Sequence, residues 1–206
     1  MRKQWLLFLA IIVLTAAGGW FLAREERVSS EEHGQFEQMG TYKVYSGTES
    51  ALQVTLEYPE PWALYEDKGK VEFYREVRIV GPRNGEDTYT PYISVRGSPM
   101  KVFGGRHENL DELVRQYRSH LIPGTEIVSE AQRSVAGLKA DELTLTYTMP
   151  AIHHKGIRPI PVPLKERRIF IEKHPYLYEL TYSADAREYD RYAEAFERVV
   201  KTLRFQ

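Results

Sequence analysis

LYELTYSADAREYDRYAEAFERVVKTLRFQ, residues 177–206, carries a strand and then a helix, and the pairing decides the fold. Residues 177–183 read as a strand. From about 186 to 203 the apolar side chains of Tyr189, Tyr192, Ala193, Phe196, Val199, Val200 and Leu203 recur at helical spacing. Arg187, Glu188, Arg191, Glu194 and Glu197 fill the opposite face, and Asp185 stands where a side chain could cap the first turn. A helix with one apolar stripe needs an apolar surface to cover, and the strands before it supply a sheet.

Working outward, residues 126–135, 140–149 and 166–173 read as further strands, with Gly137 and His174-Pro175 at the turns. Leu143, Leu145 and Tyr147 alternate with Thr144, Thr146 and Thr148, which predicts one buried and one wetter face. Upstream, Asn109 followed by Glu112 resembles a capping box. Leu110, Leu113, Val114, Tyr117 and Leu121 make the stripe of a helix that Pro123-Gly124 ends. Residues 41–46, 51–58, 71–79 and 92–96 read as earlier strands. Arg83-Asn84-Gly85-Glu86-Asp87 reads as a turn or loop, and Trp62 as a core or rim anchor.

The first 23 residues are of another kind. Arg2 and Lys3 precede Trp5 to Ala23, a stretch without charge that spans about 28 Å as a helix, close to a bilayer core. Its Leu, Ile, Val and Phe residues favour insertion by roughly 3–6 kcal/mol. The expectation is an anchor over 1–23, a polar stalk over 24–40 and one α+β domain over 41–206, facing outside the cytoplasm. The rival reading is a cleaved signal peptide with Ala16-Ala17-Gly18-Gly19 as the processing region. Both export the domain.

Composition narrows the function classes. With 42% hydrophobic and 28% charged residues the chain is ordinary globular material. Arg2 and Lys3 are the only charged residues before Arg24, so the net charge of −1 becomes −3 beyond them, which does not favour nucleic acid as a partner. The absence of cysteine removes disulfides, thiolate metal sites, a cysteine nucleophile and a lipidated cysteine.

The element order, with Tyr58-Pro59-Glu60-Pro61-Trp62 after an early strand, a helix after a middle strand, the run 124–147 and a last helix closing on Thr202-Leu203-Arg204-Phe205, resembles the PsbP-like superfamily over roughly residues 41–206. The resemblance implies a central antiparallel β-sheet flanked by helices, an α/β/α sandwich, and a role in binding or assembly rather than catalysis. It brings no catalytic set and no cofactor. The chain departs from the superfamily's many bacterial lipoproteins by lacking the anchoring cysteine. Nothing in the sequence points to a photosystem partner.

The segment MPAIHHKGIRPIPVPL, residues 149–164, is the least ordinary. Pro150, Pro159, Pro161 and Pro163 argue against a central strand and for an exposed loop interrupting a hairpin. His153, His154, Lys155 and Arg158, with Arg167 and Arg168 beyond, make it basic and are the candidate binding residues for an envelope protein, an anionic surface or membrane headgroups. Two histidines fall short of a metal's ligand count. Ser94, Ser98, Ser119, Ser134 and Ser183 lie in no nucleophile elbow, and Gly104-Gly105 precedes Arg106 rather than a phosphate-loop lysine. The expectation is a non-catalytic, membrane-tethered binding or assembly module. The alternative is a small-molecule or lipid-binding domain, or a hydrolase, with 149–164 as a lid.

Overall fold

The computed structural model describes residues 40–67, 74–152 and 159–206. The proposed anchor and nearly all of the stalk lie outside the described residues, as do Val71, Phe73, His153, His154, Lys155 and Arg158. Among the described residues no helix is long and apolar enough to cross a membrane.

Residues 41–206 form an α+β unit. In chain order it contains β1 (Tyr42–Ser46), β2 (Val54–Pro59), β3 (Ala63–Asp67), β4 (Arg75–Val80), β5 (Tyr92–Pro99), α1 (Leu110–Ser119), β6 (Glu126–Val135), β7 (Leu138–Ile152), β8 (Pro159–Lys173), β9 (Tyr176–Asp185), α2 (Tyr189–Thr202) and β10 (Arg204–Phe205). Short 3-10 turns occupy Ser50–Leu52 and Lys101–Phe103. Seven strands make one antiparallel sheet in the order β3-β4-β5-β9-β8-β7-β6. The N-terminal strands pair with the chain end in a separate sheet, β1-β2-β10.

Because side chains alternate along a strand, register assigns every residue to a face. On one face Val77 and Ile79 of β4, Ile93 and Val95 of β5, Leu180 and Tyr182 of β9, and Ile169 and Ile171 of β8 are all fully buried. Helix α2 covers this face with Tyr192, Ala195, Phe196 and Val199, and the Phe196 ring stacks on Tyr182 at 5.5 Å. Each large side chain there stabilises by about 1.5–3 kcal/mol. On the other face α1 lays Leu113 and Val114 on Leu143, Leu145, Phe170 and Leu177. Helices therefore lie on both sides of the sheet.

The small sheet is tied to the large one by close backbone approach. A Cβ on Gly97 would sit 1.8 Å from the Ala51 carbonyl oxygen, so only glycine fits where the Ser50–Leu52 turn crosses β5. Gln206 closes the same sheet, donating from its backbone to the Gln53 carbonyl and from its amide to Thr55 and Ser46.

Several sequence expectations change. Leu52 is in a 3-10 turn, not a strand. The five-residue edge strand β3 follows the Pro59–Trp62 turn at once, too short and half-exposed for its alternation to register. Helix α2 begins at Tyr189, and Asp185 caps the preceding turn instead, accepting from the Arg187 N–H at 3.0 Å. Asn109 does cap α1, accepting from the Glu112 N–H at 2.9 Å. Trp62 is a core anchor, edge-on to Tyr192 at 5.7 Å.

Candidate binding site

The proline-rich segment is not an unpaired loop. β7 and β8 stay in register through Thr148↔Pro163, Pro150↔Pro161 and Ile152↔Pro159. Their neighbours stop earlier, β6 opposite Thr146 and β9 opposite Leu164. Beyond those points the two strands continue as an arm. The Pro163 carbonyl accepts from the Ala186 N–H, so the odd positions of β8 turn their backbone groups away from β7. The N–H groups that Pro159, Pro161 and Pro163 lack are therefore missing from an open edge, where no ladder bond is lost. A strand that is central lower down is an edge at this height. Pro150, Pro161 and Pro163 are exposed there, as is Ile160, while Val162 and Leu164 are buried against Tyr89, Tyr147 and Met149.

The 83–90 loop beside the arm is rigidly built. Buried Asn84 accepts at its carbonyl oxygen from the N–H groups of Thr88 and Tyr89, and its amide donates to Thr88 and to Asp185. Arg187 fastens the loop from the other side, with two bonds to Glu86 and others to Asp185. Hydrogen bonds from Arg187, joined by one from Asn84, hold the Asp185 carboxyl below the usual range despite its burial. Asp87 adopts φ 54°, a left-handed conformation unfavourable for a residue with a Cβ, and receives the Arg83 guanidinium at 2.6 Å.

Between this loop and the arm lies a cleft of about 490 Å³. Tyr89, Tyr92, Tyr147 and Met149 line it, and Arg83, Asp87, Thr88 and Thr90 form its polar part. The Tyr89 hydroxyl bonds to Ser183 and the Tyr147 hydroxyl donates to Glu166, which fixes both rings. Burial pushes both phenols well above their ordinary range.

Glu166 ends a ladder of charges crossing four strands on the α1 face. Its carboxylate accepts from Arg168, Tyr117 and Tyr147. Arg168 reaches Glu179 at 3.0 Å, Arg96 lies 4.0 Å from Glu179 and 3.3 Å from Glu76, and Arg78 reaches Glu76 at 3.1 Å. Burial alone would lower the Arg168 pKa, and the carboxylates of Glu166 and Glu179 more than reverse this. Each charge has an opposite neighbour, so the surface bordering the cleft is close to neutral.

Of the six residues singled out from sequence, Arg167 and Arg168 are described. Being consecutive in a strand, they point to opposite faces. Arg167 pairs with Glu142 and Glu197 beside α2, and Arg168 joins the ladder. They do not come together. The tyrosine cleft was missed because its parts come from β5, β7 and the 83–90 loop. The one local signal was the density of Thr88, Tyr89, Thr90 and Tyr92 after an Asn-Gly turn.

No protein-family model and no curated protein matches the sequence. Among solved structures, the chain is similar to cyanobacterial PsbP (CyanoP) from Synechocystis, with a TM-score of 0.51 and 15% identity over 81% of this chain and 93% of that one. It is also similar to LpqN of Mycobacterium tuberculosis, a protein involved in cell envelope biogenesis, with a TM-score of 0.50 and 13% identity over 79% and 89%. The fold is PsbP-like, as the order of elements in the sequence implied.

Proposed function

We propose that the chain is a non-catalytic binding or assembly module, held outside the cytoplasm by residues 5–23, that takes up an envelope component on the arm-and-cleft end of its sheet. One observation carries this reading: the paired proline arm projects past its neighbours beside a preformed tyrosine-lined cleft. A preformed concave site with a few placed polar groups is the usual form of a binding site. The ionisable groups nearest the cleft bind one another, and the Glu166 carboxylate is saturated by three donors, which suits a structural role better than acid–base chemistry. The fold is also that of LpqN, whose involvement in envelope biogenesis agrees with the reading.

The alternative of a lid over a pocket is less well supported, because 149–152 and 159–164 are paired strands rather than a hinged loop. The test is recovery of co-purifying envelope material from cells producing Ile160→Glu or Val102→Glu. Both positions are exposed, Ile160 on the arm and Val102 at the opposite end of the sheet. Loss with the first variant and retention with the second is expected; equal recovery from both would remove the arm from the account.

A further inference from the structure

Resting on the reading of this cleft as a binding surface, we infer that its ligand is a neutral saccharide. Three features select that chemistry. First, the walls are aromatic. Tyr89, Tyr92 and Tyr147 contribute rings, and two of these are fixed by their hydroxyl bonds to Ser183 and Glu166. A pyranose presents a C–H face that packs on such rings. Second, the lip offers donors and acceptors together: the Arg83 guanidinium, the Asp87 carboxylate and the Thr90 hydroxyl. A sugar hydroxyl both gives and takes a hydrogen bond, so it needs both kinds.

Third, each charge has an opposite partner. Arg83 is paired with Asp87, Arg187 with Glu86 and Asp185, and Arg168 with Glu166 and Glu179. An anionic ligand would call for an uncompensated guanidinium, and an organic cation for rings backed by uncompensated negative charge. Among the described residues at this site every guanidinium faces a carboxylate and every carboxylate a guanidinium. The cavity of about 490 Å³ lies within the range of small-ligand sites. The loop that carries the lip is held by Asn84 and Arg187, so little ordering is left to be done on binding. The left-handed Asp87 is the one departure from relaxed geometry in that loop, and it sets the carboxylate at the lip.

The test uses the purified full chain in a detergent without a sugar headgroup. Saturation-transfer NMR is recorded with chitotriose, maltotriose, cellotriose and, as a charged comparison, tetramethylammonium, each up to about 10 mM, which reaches weak single-site affinities. At least one trisaccharide is expected to bind saturably, with transfer from tyrosine rings. Asp87→Gly suits the positive φ and keeps the fold while removing the carboxylate; it should weaken that binding at least about tenfold with an unchanged or higher melting temperature. Tyr65→Ala, on the exposed edge strand β3, should leave it unchanged. Binding of tetramethylammonium alone, no saturable trisaccharide, or full affinity in Asp87→Gly overturns the assignment. If the trisaccharides fail while Ile160→Glu still abolishes recovery of envelope material, the binding surface stands and only its ligand is wrong.

Discussion

The two faces of the seven-stranded sheet are built from the same strands and obey different rules. Under α2 lie Val77, Ile93, Val95, Leu180, Tyr182 and Ile169, a dry apolar layer in which the Tyr182 hydroxyl donates to the Tyr189 carbonyl. On the opposite face the alternate residues of those strands are Glu76, Ser94, Arg96, Glu179, Thr181 and Arg168, and α1 covers the β7–β8 side, with Tyr117 in contact with Glu166 and Arg168. The first face holds the fold together. The second is polar, with the buried Arg96 Nε left without a hydrogen-bond partner, and where α1 gives way it ends in the tyrosine cleft.

That division can be broken by mutation. Phe196→Ala removes a fully buried ring from the dry face and should cost about 3–5 kcal/mol, read as a lower urea midpoint. Arg168→Ala leaves Glu166 without its guanidinium and Glu179 with only the more distant Arg96, and should cost roughly 3 kcal/mol. Adding Glu166→Gln to Arg168→Met should recover part of that loss, because neutrality and not charge is what the ladder requires. An equal or greater loss in the double variant would mean that the ion pairs themselves supply the stability.

Buried tyrosines should make both faces sensitive to high pH, and Asp185 adds an acid limb on the polar one. Burial pushes Tyr178, Tyr189 and Tyr192, on or under α2, up to about 12 from an ordinary 10.0. A pKa raised on folding gives stability that is complete below pH 10 and is lost as pH rises toward 12. Absorbance at the phenolate band should therefore show a group of tyrosines that ionise only with unfolding. Asp185 runs the other way. Its pKa is lowered on folding, so its contribution is present above its ordinary 3.8 and is lost as pH falls through the folded value. Asp185→Asn should flatten the acid limb below about pH 4 and leave the alkaline limb alone. The smallest effect belongs to neither face. In the β6–β7 turn Ala136 and Gly137 both have positive φ, 49° and 82°, a geometry that asparagine tolerates better than alanine. Ala136→Asn should raise stability by about 0.5–1 kcal/mol in the same urea titration.

The dry face was the more legible from sequence. Tyr192, Phe196, Val199 and Val200 announce their helix by period alone, because burial of one side imprints a repeat on local sequence. The charge ladder on the opposite face leaves no such imprint. Glu166 and Arg168 look like surface charges until registers with β9 and β7 bring Glu179, Tyr117 and Tyr147 to them. The prolines misled for a related reason: Pro161 is forbidden in a central strand, and only the lengths of β6 and β9 reveal that β8 has become an edge there. The cleft depends on Asn84, whose bonds to Asp185 span the chain and have no local signature.

The most direct test of the arm-and-cleft end as the binding surface is photocrosslinking in intact cells, with the photoreactive residue placed singly at Ile160 or at Val102. The account predicts a light-dependent adduct at Ile160 and none at Val102. An adduct at Val102 with none at Ile160 would contradict it.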